Sequence, residues 1–317
     1  MTPTKLFNNQ PIFLVGAERS GTTLLRLMLD HHPELAFHFE FEFSVDQMRD
    51  GKFPAVQDYI EYLETDRIFH ASELSIDASL DYPQLIQSFL QQWQDKSGKQ
   101  FVGATVHRDF NRLLKIWPDA KFIHLIRDPR DVARSCVAMN WAGNTYAGVD
   151  KWIEAEQVWD DLSLTLAPES QIELHFESLV TNPVSCLTEL CEFIGTKYDP
   201  AMFSYAEKTS YDLPKASLAY QWRKKASQKE IQQVEAKIGN RLSVKGYTTS
   251  GLSKISMTPL RGQRLSLQSK WLVKLSRIKV YGLPLVMASW LSKRLNIKPW
   301  EKHVALRCNQ IDTELLK

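Results

Sequence analysis

The sequence predicts an α/β fold in which a parallel sheet is flanked by helices. Three observations lead there. Short apolar runs alternate with segments of helical period. A turn containing glycine leaves the first run and opens a helix. The 317 residues, 44% hydrophobic and 24% charged, are ample to bury a core without disulfides or a structural metal.

The elements follow in order. Residues 12–15, between Pro11 and Gly16, read as a buried strand. Residues 20–30 carry Leu24, Leu25, Met28 and Leu29 on one helical face. Residues 35–39 are a further strand candidate. Residues 44–98 interrupt the alternation. Leu85, Phe89 and Trp93 share a helical face there, and the segment is expected to form a helical cap over the site. Residues 101–106, 122–126 and 171–176 complete the strands. Residues 130–139 are expected to be helical. In 149–166, Trp152, Ala155, Trp159, Leu162 and Leu166 form one apolar stripe, which makes those tryptophans core. Asn182-Pro183 starts a helix that stops at Gly195.

Charge divides the chain. Residues 251–317 hold 13 Lys+Arg against 3 Asp+Glu, leaving 26 against 34 in residues 1–250. The expected organisation is one domain over 1–250 and a basic helical extension over 251–317. Such an extension suits peripheral contact with an anionic membrane, an acidic partner or the acidic body itself. Cys136, Cys186, Cys191 and Cys308 form no C-x-x-C pair and have no histidine at zinc spacing, so reduced thiols are expected. Residues 1–10 lack a signal-peptide profile, and the expected location is cytoplasmic, with peripheral membrane association as an option. No nucleic-acid partner is expected.

Ligands in parallel sheets bind at the carboxyl ends of strands. After residue 15 comes Gly16-Ala17-Glu18-Arg19-Ser20-Gly21-Thr22-Thr23, running into a helix. Gly21 permits a tight turn, the helix N-terminus offers unpaired N–H groups, and Arg19, Thr22 and Thr23 add donors for phosphate or sulfate. The spacing is P-loop-like, G-x4-G-K-[ST], but Thr22 stands where the lysine should be. The expected ligand is a phosphate chain without a Mg²⁺-bound terminal phosphate.

A second anion site follows residues 122–126, in Arg127-Asp128-Pro129-Arg130-Asp131-Val132-Ala133-Arg134-Ser135. Arg127 with Ser135 can hold a second phosphate through charge-assisted hydrogen bonds. Arg130, Asp131 and Arg134 read mainly as an ion-pair network. Two anion sites on neighbouring strands imply a ligand with two separated anionic groups.

With both motifs in view, the chain resembles the sulfotransferases that use 3′-phosphoadenosine-5′-phosphosulfate (PAPS). The first motif, with Leu29-Asp30-His31-His32-Pro33 after it, is most similar to the tyrosylprotein and carbohydrate-type branch. Weaker similarity extends to about residue 247. The resemblance implies that Arg19, Ser20, Gly21, Thr22 and Thr23 grip the 5′-phosphosulfate and that Arg127 and Ser135 grip the 3′-phosphate. It implies Glu40 as the general base, and Lys215 in a basic segment over the 3′-phosphate, with Arg223-Lys224-Lys225 nearby. The product would be adenosine 3′,5′-bisphosphate, with no metal. Two departures stand out. Relatives carry a lysine on the strand before the second motif, where this chain has only His107 and Arg108 to take its part. Phe176 stands where a tyrosine often holds the nucleotide. His107 is also the alternative base. The 141–148 segment, with its glycines and aromatics, suits either a mobile gate near the acceptor or an ordinary connector between helices.

The acceptor hydroxyl stays open among a glycan, a small molecule, a lipid headgroup and a peptide tyrosine. Competing readings are a phosphate-transferring kinase or nucleoside triphosphatase, and a non-catalytic nucleotide-binding module.

Overall fold

The structure is a computed structural model that describes residues 10–315. The expectation attached to residues 1–9 lies outside the described residues.

Five strands, all parallel, form one sheet: β1 (Ile12–Val15), β2 (Leu35–Glu40), β3 (Phe101–Val106), β4 (Lys121–Ile126) and β5 (Gln171–His175). Their spatial order is β2-β3-β1-β4-β5. Side chains alternate between two apolar layers. Phe13, Val15, Val102, Ala104 and Phe122 face one core, and Ile12, Leu14, Leu35, Phe37, Ile123 and Leu125 face the other. Burial on both faces is why the inner strands read as largely apolar runs rather than alternating ones, whereas the edge strand β5 is mostly half-buried and polar in part. The last strand is one residue shorter than expected, because Phe176 already begins a helix.

Helix α1 (Thr22–Asp30) covers the second layer with Leu25, Met28 and Leu29. The 44–98 segment supplies α2 (Val56–Leu63), α3 (Arg67–Ser72) and α4 (Tyr82–Ser97). Asp81 and Gln84 close a capping box at the start of α4, and Gly98 ends it in the left-handed region. Only part of this segment reaches over the strand ends. α4 lies along the sheet, burying Leu85, Ile86, Phe89 and Leu90 in the first layer.

Next come α5 (Pro129–Ala138), α6 (Thr145–Gly148) and α7 (Asp150–Ser163), whose Trp152, Trp159 and Leu162 are core as expected. α8 (Phe176–Thr181) and α9 (Pro183–Ile194) back the second layer. Short helices α10 (Tyr205–Lys208), α11 (Trp222–Lys225), α12 (Gln228–Ile238) and α13 (Arg241–Val244) close the body. α14 (Pro259–Tyr281), α15 (Leu283–Arg294) and α16 (Lys298–Leu315) form the C-terminal extension.

The strand order reverses at β1, which lies between β3 and β4. Val15 pairs with both Val106 and His124, so the chain leaves β1, β3 and β4 at the same edge. That edge, at a switch in strand direction of travel, is where a crevice opens.

Candidate functional site

A cavity of about 510 Å³ lies beyond this edge. Arg19, Gly21, Thr22, Thr23, Glu40, His107, Arg127, Ser135 and Lys215 all line it, so segments distant in sequence converge as expected. Ser20 is the exception: it is fully buried and does not reach the lining.

The loop after β1 is shaped by its neighbours. Gly21 caps α1 at φ 97°, and a Cβ there would stand 2.3 Å from the Phe176 ring. Both the positive φ and the close approach require glycine. Arg19 is also left-handed, at φ 72°, a conformation that costs an L side chain roughly 1–2 kcal/mol. Tertiary contacts hold it there. Its carbonyl accepts from Arg127 Nη1 at 3.1 Å, and its own Nε donates to Ser135 Oγ at 2.9 Å. The Arg127 guanidinium lies 4.4 Å from the Phe176 ring centroid, so Phe176 packs both the loop and the arginine. Trp152 Nε1 donates to the Arg127 carbonyl at 3.0 Å and fixes the end of β4. Burial pulls the Arg127 pKa down, and the nearby Asp131 and Glu177 charges oppose that. Arg127 Nε and the Ser20 hydroxyl are buried with no hydrogen-bond partner among the described residues.

A relay that sequence reasoning missed underlies the loop. Thr22 Oγ1 is 2.9 Å from His107 Nε2, and His107 Nδ1 is 2.5 Å from Glu42 Oε1, which also accepts the His107 backbone N–H. All three side chains are buried. For His107, burial disfavours the cation, but the Glu42 charge and hydrogen bond outweigh it and the pKa is raised. For Glu42, burial is likewise overcome by His107, and the pKa is lowered. Both shifts favour the imidazolium–carboxylate form of the pair. With a proton on Nε2, His107 donates to Thr22 Oγ1 and leaves the Thr22 O–H free to donate to a ligand in the cavity that Thr22 lines. Two short distances and two opposite shifts tie His107 into a charge-favouring pair beneath the loop. The visible signal was a second carboxylate two residues after Glu40.

Glu40 ends β2. The pairing with β3 shifts between His38 and Glu40, so Glu40 stands opposite Thr105. Such an irregularity re-aims a side chain at a sheet edge. Glu40 is exposed to the cavity, yet surrounding protein desolvates it in part; with repulsion from Glu42, this raises its pKa. His38 is buried beneath it, and desolvation lowers its pKa to about 3, consistent with a structural role.

A second, polar cavity of about 360 Å³ adjoins the first, and the two share Glu18, Glu40, His107 and Trp141. Asp66, Arg67 and Ile68, around the start of α3, line it, so this part of 44–98 is the portion that lies over the site. Arg108 lines only this second cavity and is bidentate to Asp46 at 2.9 and 2.6 Å. Of His107 and Arg108, the two residues expected to take the part of the family's lysine, only His107 lines both cavities.

The network expected along α5 reaches further than that helix. Buried Arg130 binds Asp128 at 2.9 and 2.6 Å and Glu235 at 2.7 Å, and stacks 3.7 Å from the Trp222 ring centroid. Asp131 accepts the backbone N–H groups of Gln221 and Trp222 at 3.0 and 2.6 Å. These bonds hold the 215–225 segment against the cavity. Lys225 lines it, while Arg223 stacks on Tyr220 and Trp222 instead. Lys215 lines it too, 2.7 Å from Asp212 Oδ2.

The 141–148 segment is tethered by α14. Gly143 N–H donates to Ser269 Oγ at 2.8 Å, and Asn144 Nδ2 to the Leu265 carbonyl at 2.8 Å. Trp141, half-exposed, hangs from this tether with the Arg19 guanidinium 5.7 Å from its ring centroid.

Comparison with known proteins places the chain in a family. The family model described as "Sulfotransferase family" matches residues 11–200. The chain is 28% identical over 218 residues to protein-tyrosine sulfotransferase 1 of Danio rerio, covering 62% of this chain and 56% of that one. It is 25% identical over 215 residues to protein-tyrosine sulfotransferase 2 of Gallus gallus, covering 62% and 54%. The chain thus spans about half the length of these relatives. Among solved structures, it resembles the sulfotransferase domain from the curacin biosynthetic pathway, with TM-score 0.54 and 20% identity over 76% of this chain and 99% of that one. The sulfotransferase domain of the Synechococcus PCC 7002 olefin synthase gives TM-score 0.53 and 20% identity over 74% and 96%. At that identity both likenesses are of fold.

Proposed function

The chain belongs to the sulfotransferase family, and from that membership we propose that it transfers a sulfuryl group from PAPS to an acceptor hydroxyl. The observation that carries the reading is the 2.9 Å bond joining Arg19 to Ser135 across one cavity, which brings two anion-binding motifs within reach of a single ligand. The unpartnered Arg127 Nε, on a side chain that lines the cavity, fits an anionic ligand, since a buried donor without a partner is costly.

In this reading Arg127 and Ser135, with Lys215 and Lys225 above them, hold the 3′-phosphate. Arg19, Thr22, Thr23 and the first N–H groups of α1 hold the phosphosulfate. The donor supplies an electrophilic sulfur on a phosphate leaving group. The bond from sulfur to that phosphate oxygen breaks as a bond to the acceptor oxygen forms, in line. Arg19 and the loop N–H groups take up the charge left on the phosphate. The cationic His107 stands in for the lysine of relatives, bracing the group in transit through Thr22. Glu40, at the junction of the two cavities, accepts the acceptor's proton, and its raised pKa brings it toward a working base. The acceptor enters through the second cavity. The relatives named above are protein-tyrosine sulfotransferases, so a tyrosine peptide is the first acceptor to try.

The test is transfer of labelled sulfate from PAPS to a panel holding a tyrosine peptide, a glycan, a small alcohol and a lipid with a hydroxylated headgroup. Glu40→Gln should abolish transfer while binding of adenosine 3′,5′-bisphosphate is kept. Full turnover in Glu40→Gln would remove Glu40 as base, and binding without turnover on any acceptor, in the unaltered chain, would favour a nucleotide-sensing module.

A further inference from the structure

Helices α14 and α15 are inside out. Their protein-facing positions are small: Gly262, Ser269 and Ser292 are the buried residues of the two helices. Their large apolar residues point away. On α14, Leu260, Leu267, Trp271 and Leu275 are spaced by seven, four and four, which puts them on one face, and all are exposed. On α15, Leu283, Met287 and Trp290 are spaced by four and three and are exposed as well. Twelve of the 21 exposed large apolar side chains among the described residues lie between Leu260 and Leu306, so the surface is a concentrated patch rather than scatter.

The charge on the same helices selects the partner. Residues 259–294 contain Arg261, Arg264, Lys270, Lys274, Arg277, Lys279, Lys293 and Arg294, and no Asp or Glu. A second copy seated face to face would oppose eight cations with eight more. Exposed tryptophans and leucines with lysines and arginines among them, Arg264 and Lys274 on the same face of α14, are instead the composition of a surface that meets a lipid–water interface. Among the described residues no helix is long and apolar enough to cross a membrane. The extension is also fixed to the body at both ends. α14 grips the 141–148 segment, and in α16 Lys298 is 3.3 Å from Glu61 while Asn309 Nδ2 donates to the Thr65 carbonyl at 2.9 Å.

We propose that the outward face of α14 and α15 docks the protein on an anionic lipid bilayer, with Trp271 and Trp290 entering the interface and Lys270, Lys274 and their neighbours meeting lipid headgroups. This does not depend on the sulfuryl-transfer reading.

The full chain is sedimented with vesicles of phosphatidylcholine alone and of phosphatidylcholine with phosphatidylglycerol. Binding to the anionic vesicles, weakened by salt and accompanied by a blue shift of tryptophan emission, is expected. Trp271→Ser/Trp290→Ser should weaken it about tenfold or more, since both the apolar and the charged parts are needed for stable attachment. Lys270→Ala/Lys274→Ala should weaken anionic binding and flatten its salt dependence. All four side chains are exposed, so both variants should melt as the parent does. No binding to anionic vesicles at low salt would overturn the proposal. So would binding unchanged in both variants, or a dimer seen by light scattering that Trp271→Ser/Trp290→Ser dissolves.

Discussion

Arg19 Nε donates to Ser135 Oγ across 2.9 Å, although 116 residues separate the two in sequence. That bond joins the loop after β1 to the helix after β4. It predicts that the two residues act on one ligand. Arg19→Ala should lower transfer by about 10²–10³, the usual cost of removing one charge-stabilising donor. Ser135→Ala removes only a neutral hydroxyl, so affinity for adenosine 3′,5′-bisphosphate should fall by about tenfold. The double variant should lose less than the product of the single losses, because the residues touch. Steady-state kinetics and calorimetry on the three variants check this.

His107 and Glu42 form a buried pair at 2.5 Å. His107→Ala would strand the Glu42 carboxylate, and breaking a buried pair typically costs about 3–5 kcal/mol. Chemical denaturation should show a loss of that order. His107→Ala/Glu42→Gln should recover much of the stability and none of the activity, which separates the structural part of the pair from its part in orienting Thr22.

Activity should follow a bell-shaped pH profile. Glu40 must be ionised to accept a proton, and its pKa is raised above the ordinary carboxylate value by burial and by Glu42, so the acid limb is displaced upward. His107 must stay cationic, and Glu42 raises its pKa above the ordinary 6.5 against the effect of burial. Activity, and the stability that His107 contributes, should therefore be present below its unfolded value and be lost as pH rises through the folded one. Glu42→Gln should move the alkaline limb of kcat to lower pH. An unmoved limb would assign it to another group.

Gly143 sits against α14 so closely that a Cβ would lie 2.8 Å from the Ser269 Cα and carbonyl oxygen. Gly143→Ala must push the segment off the helix and displace Trp141. Acceptor KM should rise several-fold while donor affinity is little changed. Equal changes in both would place Trp141 in donor binding instead.

Most of the sheet was legible because β1 to β4 are buried over most of their length and stand out as largely apolar runs between turn residues. The donor end of the site was legible for a related reason: glycine, hydroxyl and arginine side chains crowd the strand ends, where parallel sheets bind ligands. Glu42 was legible only as a second carboxylate beside Glu40; its pairing with His107, 65 residues away, was not. Asp131 looked like part of a helical ion-pair network, whereas it caps the backbone of Gln221 and Trp222, a pairing only the folded chain creates. What the glycines of the 141–148 segment pack against was not legible: Gly143 lies close to Ser269 and Gly148 close to the Ala133 carbonyl, contacts that only the folded chain creates.

The most direct test of the central claim is calorimetric titration of the full chain with adenosine 3′,5′-bisphosphate and, separately, with ATP and Mg²⁺. The account predicts one tight site for the bisphosphate, weakened by Arg19→Ala, Arg127→Ala and Ser135→Ala alike, and weaker binding of ATP–Mg²⁺. Tight ATP–Mg²⁺ binding with no heat from the bisphosphate would contradict it.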